Sequence, residues 1–443
     1  MTHSALSDLP SESSQISTID LLPPSGLRED CAEHESRNLL TLAAFQICMR
    51  VGWIFKVESI IIPAFMDMMA GAGWMRGLLP VLNRFGQSIP PVIAAHRVKH
   101  LERKKWAVTL CILLNAGLLL SFAAMWSLGS GKSLAWMPWL FLLLYTLFFT
   151  LHGIGQLSLN TLHGKLIHAT RRGRLMLLSD PLGTLFAVSL GAWLLPHWLS
   201  LSNGGFTYIF SFAAAFFIVA SLVALLIHEP PDHFPQQEHE HGPVWKKFAT
   251  SWQVLREDAN FRRLAAVAVL LGTVQILMPH YQALGRQQLG LKLTNLMPWI
   301  VAQNIGAGLF SMFSGPLADR HGTRLSLRLL ILGASLTPLV AIGMANAGTK
   351  VAEDWFWVVF IPMGFTPVIY RMLNNYTLEI SPRHEHPRYL STLNLCLAAP
   401  FLFSPLVGWL IDVTSFEKVL GVGSGLILLS FLLTFRLAEP RHV

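Results

Sequence analysis

The sequence predicts an all-α integral membrane protein with twelve transmembrane helices in two six-helix, pseudo-symmetric bundles. Of its 443 residues, 53% are hydrophobic and only 13% are charged, whereas soluble domains carry about 25% charged residues. Twelve apolar runs are each long enough to cross a bilayer as a helix. One long polar insertion divides these runs six and six. Together, these observations exclude an ordinary soluble domain.

The twelve runs follow one another through short polar connections. Gly and Pro inside several runs, as in GQSIPPVIAA, do not exclude helices, because neighbouring membrane helices can satisfy the interrupted backbone. The predicted bounds are 40–65, 75–95, 106–128, 134–161, 175–199, 205–227, 263–284, 294–317, 326–347, 355–377, 390–412 and 418–437.

The basic residues of the connections predict the orientation. The formal net charge is +8, and short loops rich in Arg and Lys stay in the cytoplasm. The proposed inner loops hold Arg97, Lys99, Arg103, Lys104, Lys105, Lys165, Arg171, Arg172, Arg174, Arg320, Arg324, Arg328, Arg383 and Arg388. The outer connections hold fewer basic residues, namely Arg76, Lys132, Arg286, Lys292, Lys350 and Lys418. We therefore expect both termini in the cytoplasm at the plasma (inner) membrane of a bacterium. We expect the lipid bilayer, not nucleic acid, to be the partner of this charge.

Five regions follow from this pattern. The first is rich in Ser and acidic residues and lacks the basic start and apolar core of a signal peptide, so we expect a disordered cytoplasmic arm. The polar insertion contains WKKFATSWQVLRED, which is typical of an amphipathic helix on a membrane surface. The regions are the tail 1–38, the first bundle 39–227, the linker 228–262, the second bundle 263–437 and a short tail 438–443.

The two halves share a weak internal repeat. NTLHGKLIHATRRGRL joins runs four and five, and NNYTLEISPRHEHPRYL joins runs ten and eleven. Both contain Thr-Leu, at Thr161 and Thr377, then a polar stretch and an Arg that opens the next run, at Arg174 and Arg388. Matched positions of this kind are typical of duplicated transporter halves.

A charged hairpin, GPLADRHGTR, lies between runs eight and nine. Gly315 and Gly322 permit tight or left-handed backbone, and Asp319 favours a helix N-terminus. Arg320 and Arg324 supply the basic residues. This hairpin resembles the loop signature of the major facilitator superfamily, found between the second and third helices of a six-helix half.

The resemblance implies two six-helix halves that move a small solute by alternating access. It also implies that Asp319 latches the hairpin to a helix of the other half, near Asp180 and Arg174, although a simple helix cap is the alternative. The first half departs from the signature: AAHRVKHLERKKW has neither Gly, and only Glu102 could replace Asp319.

Run one contains three charges, Arg50, Lys56 and Glu58. A charge within a membrane helix costs about 2.5 to 3.5 kcal/mol on insertion scales and is therefore a candidate for function. On one continuous helix, Arg50 and Glu58 share a side and Lys56 points nearly opposite Glu58. Glu58 is our candidate for proton coupling, because a desolvated carboxylate can exchange protons near neutral pH. A static ion pair of Glu58 with Arg84 is the alternative.

Further polar side chains lie at membrane depth in runs two, four, seven, eight and ten. The resemblance places runs one, four, seven and ten around a central cavity. The predicted substrate cavity comprises Arg50, Glu58, Arg84, His152, Gln156, Gln275, His280, Gln303, Asn304, Arg371 and Asn374. Arg50 and Arg371 could clamp an anionic group, because guanidinium matches carboxylate or phosphate geometry. Alternatively, Arg371 only anchors run ten.

Histidines and cysteines offer weaker signals. His152 and His280 could relay protons, but hydrogen bonding between helices is the commoner role. His228, His233, His239 and His241 of the linker are irregularly spaced and lack cysteines, so we expect no metal site. The four cysteines suggest no disulfide, and we expect no cofactor.

Two other classes of protein remain open as alternatives. An integral-membrane enzyme would need a catalytic motif, and none stands out. A transporter-like sensor or assembly protein without transport is compatible with the altered first-half loop. The leading interpretation is a monomeric secondary transporter of a small solute, with an anionic substrate and coupling to protons as additional hypotheses.

Overall fold

The computed structural model describes residues 29–129, 134–232, 252–382 and 385–439, and within these ranges the chain forms helices and turns without a strand. We number the twelve apolar helical segments α1 to α12. In the first half these are α1 (Glu35–Ile54, continued by Ile61–Met69), α2 (Gly73–Lys99), α3 (Lys105–Leu128), α4 (Met137–Leu166), α5 (Ala169–Leu199) and α6 (Phe206–Leu225).

The second half contains six segments, some of them divided by short 3₁₀ or π turns. They are α7 (Ala259–Ala283, then Leu284–Gln288), α8 (Leu296–His321), α9 (Thr323–Asn346), α10 (Thr349–Trp355, Phe356–Val359, Phe360–Met363 and Phe365–Ile380), α11 (His386–Ala398, Ala399–Phe403 and Ser404–Val413) and α12 (Phe416–Leu433, then Thr434–Arg436). Within the described ranges, 10 segments, α3 to α12, are long and apolar enough to cross a membrane. The charges of α1 and α2 set those two apart.

Packing within each half follows the apolar faces. In the first half α3 packs against α6, α2 against α4, and α1 against α5; in the second half α12 packs against both α9 and α7. Aromatic rings fill the first-half core: Phe65 contacts Trp126, Phe141, Phe206 and Phe210 with ring centroids 4.9 to 5.3 Å apart. Such edge and tilted ring pairs add to the burial of apolar area.

The first segment is interrupted between residues 55 and 60. The backbone amides of Ile60, Ile61 and Ile62 all donate to the carbonyl oxygen of Val57, at 2.9 to 3.3 Å, instead of extending one regular ladder. The prediction of a continuous helix through run one was therefore wrong. Its consequence, that Lys56 points away from Glu58, was wrong as well.

The first and last residues of each half meet on one side of the bundle, which we call the terminal face. Asn38, near the start of α1, exchanges two hydrogen bonds of 2.9 Å with the backbone of His228, just after α6. Asn260, near the start of α7, accepts from the backbone amide of Ala438, after α12, at 3.1 Å. In both halves, an asparagine near the start thus bonds the backbone just after the last helix, as expected from the pseudo-symmetry.

Each of these asparagine contacts is followed by a glutamate, which is buried in the first half and partly buried in the second. Glu229 accepts from the backbone amides of Lys104 and Lys105 at 3.0 and 2.8 Å, and Glu439 pairs with Arg324 at 3.0 Å. LIHEP and RLAEP carry the two glutamates. An acidic residue after α6 therefore binds the altered loop of the first half. An acidic residue after α12 binds the hairpin of the second half in the same way.

The region boundaries shift accordingly. The first long helix begins at Glu35, whose carboxylate pairs with Arg171 at 2.9 Å, so residues 35–38 belong to the first bundle and not to the tail. Residues 228–232 likewise bind the first bundle, and α7 begins at Ala259 instead of 263. The predicted tail up to residue 28, the first half of the predicted amphipathic helix (residues 245–251), and residues 440–443 lie outside the described residues.

The two halves pack tightly on the side away from the termini, which we call the opposite face. Here α2 and α11 approach backbone to backbone: a Cβ added at Gly77 or Gly408 would collide with the main chain of the other half. The backbone amide of Gly73 also donates to Asp412 at 2.8 Å. Small residues permit this close approach of membrane helices.

Candidate functional site

Two arginines are exposed deep within the membrane-spanning segments. Arg50 lies 15 residues into α1 and Arg371 nine residues before the end of α10, which is roughly 22 Å and 14 Å from the terminal face at about 1.5 Å per residue. Among the residues that the structure describes, their guanidinium groups bond only hydroxyls, Thr184 at 2.9 Å and Ser311 at 2.7 Å. Because a charge does not face lipid at such depth, both must face a polar cavity.

A cavity of about 450 Å³ lies beside Arg50 and is formed by α1, α3, α4 and α5. Its α5 side is one helical stripe, Met176, Ser179 and Asp180, and Thr184 lies one turn further on. Arg50 packs against α5 at Gly183. A Cβ built on Gly183 would lie only 3.2 Å from the Cβ of Arg50. Small-ligand sites have this size and this mixture of apolar walls with a few polar groups.

The break in α1 creates an ion pair. Lys56 is 2% exposed and its Nζ lies 2.8 Å from Oε1 of Glu58, as well as 3.2 Å from the ring centroid of Trp53. The other carboxylate oxygen accepts from Asn83, whose own amide oxygen accepts from Gln87. Gln87 is exposed, so a chain of hydrogen-bonded side chains runs from an exposed amide to the buried Lys56.

The alternative prediction, that Glu58 forms an ion pair with Arg84, was wrong. Arg84 donates instead to the backbone oxygen of Asn394 in α11, at 3.5 Å. The residue after Glu58 reaches the second half directly, because Ser59 donates to Gln303 of α8 at 2.7 Å. The Lys56 and Glu58 pair is thus one residue away from a contact between the halves.

A buried polar network joins the halves at the opposite face. Arg76, 0% exposed, bonds Asp67 at 2.7 Å within the first half and His280 of α7 at 3.1 Å. Gln282 of α7 donates to the second oxygen of Asp67 at 2.7 Å. The structure therefore places His280 in a contact between the halves and away from the open cavity. It also places Arg76 inside α2, and its assignment to an outer connection was wrong.

The other predicted cavity residues are distributed more widely. His152 packs its ring 4.7 Å from that of Trp53, and Gln156 donates to Asn160 at 3.1 Å on the cavity wall. Asn374 is exposed beside Arg371. Gln275 is half-buried, and Asn304 bonds the backbone oxygen of Ile300 at 2.9 Å.

The hairpin between α8 and α9 binds its own half. Arg324 pairs with Glu439, and Thr323 donates to Glu379 at the end of α10. Gly322 has a φ of +92° and abuts Glu439, so a side chain here would be strained and crowded. Gly315 has no atom within 4 Å of an added Cβ, and Asp319 and Arg320 are exposed. Among the described ion pairs, none includes Arg174 or Asp180.

The terminal face of the first half holds a charge cluster that sequence reasoning missed. Lys165 pairs with Glu229 and with Asp232, both at 3.0 Å, and Lys104 pairs with Asp232 at 2.6 Å. Burial opposes ionisation of Asp232, but the hydrogen bonds from the two lysines outweigh it and hold its pKa below the usual value. The repeated Glu-Pro after α6 and α12 is the sequence signal that could have revealed this cluster.

Metal and cofactor sites were not expected, and the described ranges contain no group of His, Cys, Asp or Glu with metal-binding geometry. His228 is exposed and packs its ring 3.9 Å from that of His34. The predictions for His233, His239 and His241 concern residues outside the described ranges.

Comparisons with known proteins identify the fold. A sequence profile of the Major Facilitator Superfamily matches residues 287–443. The nucleoside transporter NupG superposes with a TM-score of 0.63 at 13% identity, over 91% of this chain and 98% of that one. A bacterial homologue of the iron transporter ferroportin superposes with TM-scores of 0.61 in its inward-facing state (13% identity) and 0.55 in its outward-facing state (12% identity). Each alignment covers 90% of this chain and 98% of the homologue. No curated protein sequence matches significantly.

Proposed function

We propose that the chain belongs to the major facilitator superfamily, whose profile matches residues 287–443, and that it is a secondary transporter that moves a small solute across a membrane by alternating access. One observation supports this most: the halves are bonded at the opposite face, while Arg50 and Arg371 stay exposed deep on the terminal side. A solute would enter from the terminal face. We propose that this face is cytoplasmic, in the plasma membrane of a bacterium, and that the monomer suffices.

The transport cycle requires the opposite face to open. The contacts between the halves that must then break include Arg76 with His280, Gln282 with Asp67, Gly73 with Asp412, and Arg286 with the carbonyl oxygen of Ala64. The buried ion pair of Arg76 and Asp67 lies within the first half and can move as a unit. With the terminal face in the cytoplasm, we infer that the structure corresponds to the inward-facing state, and the higher TM-score to the inward-facing ferroportin homologue supports this inference.

The cycle also requires the terminal face to close. The hairpin residues Gly315, Asp319, Arg320, Gly322 and Arg324 would then approach the start of α5. We propose that Asp319 engages that helix end near Arg174 and Asp180 in the outward-facing state. Both α5 residues are exposed in the inward-facing state, which leaves them accessible for such a contact.

Proton coupling is assigned to Glu58. Its ion pair with Lys56 is linked through Asn83 to the exposed amide of Gln87, and Ser59 beside it bonds the second half. A proton on Glu58 would remove the attraction to the Lys56 ammonium in a buried site, where an unpaired charge costs several kcal/mol. Protonation would therefore favour movement of the α1 break and, with it, of the contact to α8.

Reconstitution tests the proposal. Purified protein in proteoliposomes loaded with unlabelled nucleosides, sugars, amino acids or organic anions should accumulate the labelled form of at least one solute by exchange. Glu58→Gln should retain that exchange but lose accumulation driven by a proton gradient, whereas the control Glu379→Gln, at the hairpin, should retain both. A protein that binds a solute without exchanging it would be a sensor and not a transporter.

A further inference from the structure

We propose that the cavity wall formed by α1 and α5 binds a zwitterionic small molecule, with Arg50 holding its anionic group and Asp180 its cationic group. This inference rests on the proposed transport function and names the class of substrate. An amino acid or a short peptide carries its two charges at the required close spacing.

The anionic end is assigned by the donors of Arg50. Its Nε and Nη2 donate to the hydroxyl of Thr184 at 3.3 and 2.9 Å, and within the described residues no carboxylate neutralises its charge. A guanidinium has five N–H donors, so donors remain for a ligand. A carboxylate is the group that this planar fork binds best.

The cationic end is assigned by Asp180. This carboxylate is exposed, lines the same cavity as Arg50, and belongs to no described ion pair or hydrogen bond. It lies four residues before Thr184 on α5, so the two side chains are neighbours, with Cβ atoms about 5 to 6 Å apart. Asp180 is therefore about one helical turn from the hydroxyl that holds the Arg50 guanidinium. A ligand with an ammonium a few bonds from a carboxylate can contact both.

The remaining wall suits an uncharged side chain of the ligand. Trp53 and Met49 provide apolar surface, and Gln46, Gln156 and Asn160 provide amide donors and acceptors. A cavity of about 450 Å³ lies in the range of small-molecule sites. Neither a singly charged nor a neutral ligand would satisfy both the guanidinium and the carboxylate, and an unsatisfied partner in such a site is costly.

Binding to the full-length protein in nanodiscs tests this assignment. The probes are phenylalanine, leucine and the dipeptide Leu-Leu, each beside its N-acetyl derivative, which is an anion, and its C-terminal amide, which is a cation. At least one zwitterion should bind tenfold or more tightly than both of its singly charged derivatives.

Two variants separate the charges. Arg50→Gln should weaken the zwitterion at least tenfold and leave the cationic amide unchanged, whereas Asp180→Asn should weaken the zwitterion and leave the anionic derivative unchanged. Asp354→Asn, an exposed carboxylate in the first part of α10, is the matched control and should change neither. A merely structural role would weaken all three ligand types together.

Two results would overturn the assignment: none of the zwitterions binds, or the anionic derivative binds as tightly as the zwitterion. Exchange in proteoliposomes is scored separately. Exchange of a neutral or singly charged solute would retain the transport function and refute the zwitterion site. Binding of zwitterions without exchange would retain the zwitterion site and refute the transport function.

Discussion

Replacing Asp67 with alanine probes the network that closes the opposite face. Arg76 is 0% exposed and the side chain of Asp67 only 5%, and Asp67 is the carboxylate that Arg76 bonds, at 2.7 Å. Removing one partner of a buried pair leaves an uncompensated charge, at a cost of about 3 to 5 kcal/mol. Gln282 loses an acceptor as well. We therefore expect Asp67→Ala to lower the free energy of unfolding by about 3 to 5 kcal/mol.

The assay is equilibrium unfolding in mixed micelles by titration with SDS, followed by tryptophan fluorescence. A double variant, Asp67→Leu with Arg76→Met, should recover most of the loss, because replacing both members of a buried pair with apolar residues is often neutral or stabilising. Asp354→Ala, at an exposed carboxylate, is the control and should change stability by about 0.5 kcal/mol or less. A loss below about 1 kcal/mol in Asp67→Ala, the level of a surface pair, would refute the reasoning.

Three further predictions follow from other contacts. Glu58→Gln leaves Lys56 without its counter-ion; proton-driven accumulation should fall to the level of passive exchange, and full retention of uphill transport would exclude the coupling role. Gly408→Leu should clash with the backbone of Gly73 and cost about 1 to 3 kcal/mol as overpacking does. Opening of the opposite face would be detected as increased labelling of a cysteine placed at Ala283, which is buried near the end of α7; unchanged labelling would contradict the packing. Asp232 has a pKa held below its usual 3.8, so its stabilisation is fully present above about pH 3.8 and is lost as pH falls through the lower, folded-state pKa. The difference in melting temperature between the parent and Asp232→Asn should then be constant from pH 8 to pH 5 and shrink only below about pH 4; a difference that disappears near pH 6 would assign the effect to another group.

Much of the architecture is predictable because the membrane imposes it. A helix must cross about 30 Å of hydrocarbon, so the length and spacing of apolar runs locate the segments α3 to α12 within a few residues. The hairpin signature adds the pairing of α8 with α9. Both signals are local in the sequence, and both survive in the structure.

The site was less predictable because it depends on interruptions and on contacts between distant residues. Pro63 is the local signal for the break, because its ring and missing amide hydrogen disfavour a helix that continues through residue 59. It does not reveal that the break joins Lys56 to Glu58. Arg76 lies near a run boundary and reads as a loop residue, yet its partner His280 is 204 positions away. Arg50 and Asp180 were each selected from the sequence, but their common cavity depends on how α1 crosses α5.

The central claim, that the halves rock about a polar centre, is tested most directly by spin-label distances at both faces. In a background without the four native cysteines, one pair of labels is placed at Gly173 and His321 on the terminal face, and a second at Leu201 and Gln287 on the opposite face, all exposed positions. Double electron-electron resonance with and without a bound solute should show two populations in which the terminal distance shortens as the opposite distance lengthens. A single unchanging distance at both faces, or distances that lengthen together, would contradict alternating access.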